Sequence, residues 1–87
     1  MLALSKIKDL LRNGSYAWPG GYPMFFLACD GEALSFEAVG QEFRQIVWAH
    51  MHHDARSNWA LCGYDVNWED ANLHCAHTGK RIESAYE

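Results

Sequence analysis

The sequence predicts an α+β fold, in which a small antiparallel sheet packs on one long helix and a short N-terminal helix precedes both. Two observations support this prediction. Apolar residues between positions 35 and 53 recur with the period of about 3.6 residues that is typical of an amphipathic helix. The segments 24–29 and 59–68 have the character of strands, and an Asp-Gly pair that is typical of a β-hairpin follows the first. We therefore expect a hairpin, a crossing helix and a third strand, with a short fourth strand as a further possibility.

The long helix is the element around which we expect the core to form. Ser35 is a suitable N-cap, because its side-chain oxygen can accept a hydrogen bond from a backbone N–H of the first turn. Glu37 carries the negative charge that the positive end of a helix dipole favours. The apolar stripe that this helix would bury consists of Phe36, Val39, Phe43, Ile46, Val47 and His50.

We expect the whole chain, 1–87, to form one domain, because a chain of 87 residues has room for a single hydrophobic core. Residues 1–14 place leucine and isoleucine at helical spacing before an Asn-Gly stop signal, which predicts a short helix packed on the same domain. Residues 15–23 contain two prolines and two glycines among aromatic residues, which predicts a loop. Residues 24–87 then supply the hairpin, helix, strand and a knuckle at 73–82.

The strands are predicted from their apolar composition and alternation. The Asp30-Gly31 pair predicts a type I′ turn, since this turn needs positive φ at both central residues. Alternate residues of the segment 59–68 share a face, and this places Cys62 on the apolar face. Cys29 ends the first strand, and we expect both cysteines to be small core residues.

The charge of the chain argues against one class of function and favours another. Seven basic residues stand against eleven acidic ones, which gives a net charge of -4. This balance argues against nucleic-acid binding and suits a protein partner whose surface is basic. Three cysteines are an odd number, so no disulfide framework is expected. With no leader sequence and no apolar run long enough to cross a membrane, we expect a cytoplasmic protein with reduced thiols and no membrane association.

Two clusters are candidates for catalytic or metal chemistry. His50 and His53 are three residues apart and could share a helix face, with Asp54 to orient one ring. Cys75 and His77 could form a thiol nucleophile and its base. Neither cluster has the HExxH spacing, oxyanion hole or glycine-rich turn that such sites use, and the helix dipole alone also favours histidine at a helix end. We therefore predict no enzyme activity, no cofactor and no metal, with a metal-dependent or thiol enzyme as the alternative.

Three segments of the chain resemble a known family. They are Tyr-Ala-Trp-Pro-Gly-Gly-Tyr-Pro at 16–23, Asp-Val-Asn-Trp-Glu-Asp at 65–70, and Cys-Ala-His-Thr-Gly-Lys-Arg-Ile-Glu-Ser-Ala-Tyr at 75–86. Over most of its length the chain is similar to small uncharacterised proteins of phages, plasmids and bacterial mobile elements. Many of these relatives carry Cys-x-x-Cys at the position of 75–78 and a second Cys-x-x-Cys at the start of the long helix. Their four cysteines resemble a treble-clef or zinc-ribbon-like metal site.

The resemblance implies that this chain carries a degenerate version of that site. The four ligand positions would be Ser35, Ala38, Cys75 and Thr78, and only Cys75 is a thiol. Tetrahedral zinc needs four donors, and the Ala38 side chain offers none. We therefore expect no zinc, and we predict that ordinary packing joins these vestigial positions. On this hypothesis, Cys75→Ala would lose packing only, about 1 kcal/mol.

The sequence favours a non-catalytic protein-interaction module of phage or mobile-element type. One specific version is an inhibitor of a host defence complex, similar to an anti-CRISPR protein, because a small acidic protein suits a basic nucleic-acid channel. A nucleic-acid-binding relative of zinc ribbons is a further alternative. The tryptophans could also support a homodimer. The candidate interaction surface consists of Trp18, Tyr22, Trp48 and Trp59.

Overall fold

The computed structural model describes residues 1–17 and 20–86, and within them the chain forms three helices and four strands. In chain order they are α1 (Leu4–Asn13), β1 (Tyr16–Ala17), β2 (Tyr22–Ala28), β3 (Ala33–Leu34), α2 (Phe36–Gln41), α3 (Phe43–Met51) and β4 (Leu61–Val66). The strands pair in antiparallel fashion, so the predicted α+β class with a small antiparallel sheet is confirmed. Within the described part of the chain, each helix is too short or too polar to cross a membrane.

β2 is the strand on which the sheet is built, because each of the other three strands pairs with it. Its seven residues carry no charge, which suits a strand with neighbours on both sides. β4 pairs along most of β2, from Met24 opposite Val66 to Ala28 opposite Leu61. The predicted third strand therefore lies directly beside the first.

The prediction of one long helix is wrong, because the chain forms two shorter helices there. α2 ends at Gln41 and α3 begins at Phe43. Glu42 between them has φ −106° and ψ 29°, outside the helical region. Gly40 lies in the last turn of α2, and glycine is about 1 kcal/mol less favourable than alanine in a helix. The predicted apolar stripe is nevertheless buried or half-buried along both helices.

The predicted hairpin is confirmed, but its turn is of another type. β3 pairs with the end of β2 across the Asp30-Gly31 segment. Gly31 has φ 92°, whereas Asp30 has a negative φ, so the turn is not type I′. Backbone hydrogen bonds close the turn, from the Gly31 N–H to the Ala28 carbonyl at 3.0 Å and from the Ala28 N–H to the Glu32 carbonyl at 2.9 Å. The Asp30 carboxylate adds a side-chain bond, which it accepts from the Glu32 N–H at 3.0 Å.

The segment that the sequence predicts as a loop begins with the short strand β1, which pairs with the start of β2. Gly20 has φ 113°, and a Cβ at this position would lie 2.6 Å from the Tyr22 ring. Glycine is therefore required at this turn for both backbone and space. Trp18, one of the predicted interaction residues, lies outside the described residues.

A β-bulge at Cys62 reverses the predicted faces of Leu61 and Cys62 at the start of β4, whereas Tyr64 and Val66 still share a face. Leu27 pairs with Gly63 and Ala28 pairs with Leu61, so Cys62 is the extra residue between them. The prediction that Cys62 lies on the apolar face is therefore wrong. Cys62 is exposed, and Leu61 is fully buried in its place.

Cys62 forms a disulfide with Cys29, and their Cα atoms are 4.9 Å apart. The expectations of reduced thiols and of two core cysteines are therefore wrong for this pair. An odd number of cysteines does not exclude a single bond, since Cys75 is left free. The disulfide links the adjacent strands β2 and β4 across a sequence separation of 33 residues.

The core collects residues from most elements of the fold. α1 contributes Ile7 and Leu10, which confirms that this helix packs on the domain. Phe26 of β2 stacks on Phe36 of α2, with ring centroids 4.4 Å apart. Cys75 belongs to the same buried cluster, so the knuckle is part of the core.

We expect the Cys29–Cys62 disulfide to contribute about 2–4 kcal/mol to the free energy of unfolding, because it restricts the unfolded chain. The double variant Cys29→Ser/Cys62→Ser should lose this contribution. A reducing agent should lower the stability of the wild-type chain to the same level. Urea unfolding followed by tryptophan fluorescence, with and without reductant, measures both effects.

The double variant is also the control, because reductant should leave its unfolding curve unchanged. Equal unfolding midpoints for the oxidised and reduced wild-type chain would contradict a stabilising role for the bond.

Candidate functional site

Cys75 lies at the centre of a buried polar junction between the knuckle and the start of α2. The residue is 2% exposed, and its Sγ accepts a hydrogen bond from the Ser35 backbone N–H at 3.3 Å. The Thr78 hydroxyl lies in the same knuckle and accepts a hydrogen bond from the Lys80 N–H at 3.2 Å. Ser35 also caps α2 as predicted, since its Oγ accepts a hydrogen bond from the Ala38 N–H at 3.1 Å. Hydrogen bonds thus join Cys75, Ser35 and Ala38, three of the four positions predicted from the sequence.

The hydrogen bonds of this junction favour the thiolate form of Cys75. Burial raises the pKa of the thiol, but the backbone N–H groups and hydroxyls of Ser35 and Thr78 lower it. Together these effects lower the pKa of Cys75 from 9.0 to about 7. The thiol is therefore partly ionised near neutral pH, and the surrounding donors stabilise a charge that would be costly alone in the interior.

A tight hairpin in the knuckle fixes the position of the sulfur. The Cys75 N–H donates to the Lys80 carbonyl at 2.9 Å, and the Gly79 N–H donates to the Cys75 carbonyl at 2.9 Å. Gly79 has φ 74°, a left-handed conformation that glycine adopts without strain. A further bond of 2.9 Å from the Ala76 N–H to the Ala33 carbonyl ties the knuckle to β3. The backbone therefore holds Cys75 next to the N-terminus of α2.

The junction has too few donors to bind zinc. Ala38 is fully buried and contributes only a methyl group, and Cys75 is the single free thiol of the chain. Among residues 1–17 and 20–86, no three His, Cys, Asp or Glu side chains are grouped so that they could hold a metal ion. The origin of these positions in a former metal site stays a prediction. In this chain the junction joins a helix to a knuckle.

The residues of the predicted histidine cluster have separate structural roles. His50 is 7% exposed, and its Nε2 accepts a hydrogen bond from the Leu61 N–H at 3.0 Å. His53 is exposed and follows α3 with a left-handed φ of 50°, a conformation common just after a helix end. The Asp54 carboxylate accepts a hydrogen bond from the Arg56 N–H at 3.1 Å. The buried histidine thus connects α3 to β4.

The two members of the predicted nucleophile pair, Cys75 and His77, have different partners. The Nε2 of His77 lies 3.6 Å from the Glu42 carboxylate. Its ring packs edge-on against Trp59, with centroids 4.8 Å apart. These contacts place His77 in the wall of a cavity, whereas the Cys75 sulfur is held by the donors described above.

The described residues of the predicted interaction surface have different ring neighbours. Tyr22 packs against Trp68 with ring centroids 4.7 Å apart. Trp48 of α3 is 54% exposed and stacks on His52, the residue after the helix, with ring centroids 4.3 Å apart. Trp59 is half-buried beside the knuckle. These contacts assign the three residues to different parts of the structure.

Trp68 and Tyr86, two exposed aromatic residues beyond the end of β4, are absent from the predicted interaction surface, whereas their neighbour Tyr22 is part of it. Trp68 stacks on Tyr86 with centroids 6.2 Å apart, and Tyr22 contacts Trp68. Trp68 is 44% exposed and Tyr86 is 64% exposed. We call these three residues the aromatic face. Tyr86 lies in a C-terminal tail that carries no periodic pattern, so only its contacts in the structure reveal its role.

Asn67 holds this tail in place. It is 4% exposed, and its side-chain amide donates to three backbone carbonyls at 3.0–3.3 Å, those of Asp70, Ile82 and Glu83. Next to it, the Tyr86 N–H donates to the Trp68 carbonyl at 2.8 Å. The rings of the aromatic face are therefore positioned by backbone hydrogen bonds as well as by stacking.

Comparisons of the chain with protein-family models, with curated proteins and with solved structures find no match. The resemblance to proteins of phages and mobile elements therefore stays a prediction.

His50 should make the stability of the protein depend on pH. Burial lowers its pKa below the ordinary value of 6.5, a hydrogen bond to the Leu2 backbone partly opposes this, and the N-terminal charge lowers it further. Just below pH 6.5 the unfolded chain binds more protons than the folded chain, so the free energy of unfolding should fall as the pH drops. His50→Gln keeps an acceptor for the Leu61 N–H and should show a weaker fall. Urea unfolding across this pH range measures the difference.

His52→Gln, which changes an exposed residue two positions away, should retain the wild-type pH dependence. An identical slope for His50→Gln and the wild type would show that His50 does not titrate differently in the two states.

Cys75 should make the free energy of unfolding depend on pH in a higher range than His50 does. Because its folded pKa is about 7 and its ordinary value is 9.0, the unfolded chain binds more protons between these values. The free energy of unfolding should therefore rise with pH in this range, and Cys75→Ala should abolish this rise. The other two cysteines form the disulfide and do not titrate. Urea unfolding at several pH values measures the slope.

We also expect Cys75→Ala to cost about 2–4 kcal/mol, more than the loss of packing alone, because the part-buried Ser35 N–H loses its acceptor. Cys75→Ser keeps an acceptor and should cost less. A loss of about 1 kcal/mol in the alanine variant, with no change of slope, would mean that the hydrogen bonds contribute little.

Proposed function

We propose that this protein is a non-catalytic interaction module that binds the basic surface of a protein partner through its aromatic face. The observation that carries the proposal is the exposure of Trp68 and Tyr86, 44% and 64%, in rings that are already stacked. Tryptophan and tyrosine are enriched among the residues that dominate binding energy at interfaces. Because the rings are held in place before binding, little conformational entropy is lost when a partner covers them.

Carboxylates near the aromatic face support a basic partner. Glu69 and Asp70 follow Trp68 directly in the chain and are exposed. The exposed Glu83 carboxylate accepts a hydrogen bond from the Tyr16 hydroxyl at 2.6 Å, and this bond raises the pKa of Tyr16. An aromatic centre with an acidic rim is complementary to a surface rich in arginine, which also stacks on aromatic rings. The net charge of -4 also attracts a basic partner at longer range.

An inhibitor of a host defence complex is one specific version of this proposal. The acidic charge and the sequence resemblance support it, since an anti-CRISPR-like protein would cover a basic nucleic-acid channel. The enzyme alternative is less well supported, because His50 and Cys75 both make structural hydrogen bonds. The nucleic-acid alternative is opposed by the excess of carboxylates over basic residues.

The compartment is a separate part of the proposal. The sequence predicts the cytoplasm, whereas the Cys29–Cys62 disulfide is typical of an oxidising environment. Alkylation of thiols in intact cells, followed by mass spectrometry, distinguishes the two. A reduced pair in the cell supports the cytoplasm, and a protected pair supports an oxidising compartment.

The test of the proposed function compares the wild-type chain with Trp68→Ala/Tyr86→Ala. Affinity capture identifies a partner, and binding of the purified partner is then measured directly. We expect a partner with a basic surface, a loss of roughly tenfold or more in affinity for the double variant, and weaker binding as salt is added.

Trp48→Ala is the matched control, because it removes an exposed tryptophan on α3 and should leave the affinity unchanged. Equal binding by the wild type and the double variant would exclude the aromatic face as the binding surface. Sedimentation of the protein alone tests the homodimer, and a dimer that the double variant dissociates would contradict the proposed partner.

A further inference from the structure

A cavity of about 540 Å³ lies between the β2–β3 turn, the α2–α3 junction and the knuckle. This volume is within the range of sites that bind small molecules or single side chains. Nine residues of the described ranges line it, and none of these nine is a lysine or an arginine. They are Asp30, Glu32, Leu34, Glu42, Gln45, Asn58, Trp59, Ala76 and His77.

The charge of the lining determines which ligands are excluded. Asp30, Glu32 and Glu42 carry three negative charges, and among the described lining residues the one basic side chain is that of His77. The Asp30 carboxylate is held by the Glu32 N–H at 3.0 Å. Glu42 lies 3.6 Å from the His77 ring. An anionic ligand would be repelled here, and a purely apolar ligand would cover carboxylates without replacing their water.

The apolar part of the lining determines the shape of the ligand. Trp59 is half-buried, and its backbone N–H donates to the Ser57 hydroxyl at 3.1 Å. The edge-on contact with His77, at an interplanar angle of 70°, further fixes the indole. Leu34, 3% exposed, supplies an aliphatic wall. An aromatic ring beside carboxylates is the arrangement that binds organic cations, by charge and by contact with the ring face.

A metal ion does not fit the same observations. In the described ranges 1–17 and 20–86, no three acidic, histidine or cysteine side chains are close enough together to ligate one. The carboxylates are spread around a space much larger than a single ion. We propose that the cavity binds an organic cation, a guanidinium or alkylammonium group, between Trp59 and the carboxylates of Asp30, Glu32 and Glu42. The group belongs to a free small molecule or to the side chain of a bound protein.

The proposal is tested by NMR titration of the isotope-labelled protein with acetyl-arginine amide. The indole N–H signal of Trp59, assigned with Trp59→Phe, should shift in a saturable way. The uncharged analogue acetyl-norleucine amide and the anionic acetyl-glutamate amide should give no saturable shift. Glu42→Gln should weaken binding roughly tenfold, and added salt should weaken it further. Glu69→Gln, which changes an exposed carboxylate outside the cavity, should bind like the wild type.

The source of the cation is distinguished by a second titration. Tighter binding of an arginine-containing peptide than of acetyl-arginine amide indicates a protein side chain, and equal binding indicates a free small molecule. Absence of a Trp59 shift, an equal shift with the norleucine amide, or unchanged affinity in Glu42→Gln would overturn the proposal. The variant Trp68→Ala/Tyr86→Ala should bind the cation with the affinity of the wild type. The two tests therefore distinguish failure of the cavity proposal from failure of the aromatic-face proposal.

Discussion

The pairing of β2 with three other strands is the constraint on which the rest of the structure depends. β2 pairs with β1 at its start, with β4 along most of its length and with β3 at its end. Phe26 within it is fully buried and stacks on Phe36, the first residue of α2. One strand therefore determines the position of the sheet, the hairpin and the first of the two consecutive helices. β2 also contributes Phe26 and Ala28 to the buried core.

Three buried residues join separate segments of the chain by hydrogen bonds, in addition to the apolar packing of the core. Cys75 joins the knuckle to α2, His50 joins α3 to β4, and Asn67 joins the end of β4 to the C-terminal tail. In each case the side chain forms a hydrogen bond with a backbone group of another segment. Removal of such a side chain leaves a buried donor or acceptor unpaired, which costs more than the loss of a surface contact. The protein thus combines a modest core with a few specific polar links, and both candidate binding surfaces lie beside these links.

The features predicted correctly from the sequence are those that depend on neighbouring residues. The Ser35 cap, the apolar stripe and the hairpin at Gly31 each follow from chemistry within one or two turns of chain. The bulge at Cys62 does not, since the extra residue is defined only by its pairing with β2. Alternation along the strand therefore assigned Cys62 to the wrong face and hid the disulfide. The hydrogen bonds of Asn67 bridge up to 16 residues and have no local signature, so the positions of Trp68 and Tyr86 beside Tyr22 could be found only in the structure.

The position of the disulfide also decides which parts of the chain can carry mechanical tension. Force applied to the two ends passes along the chain to Cys29, crosses the covalent bond to Cys62 and continues through β4. The intervening segment, which contains β3, α2 and α3, lies outside this path. A separation of 33 residues corresponds to roughly 110 Å of extended chain that stays hidden while the bond is intact. Under tension, the segment that contains α2 and α3 is therefore not extended while the disulfide is intact. Reduction of the bond would allow force to unfold these helices.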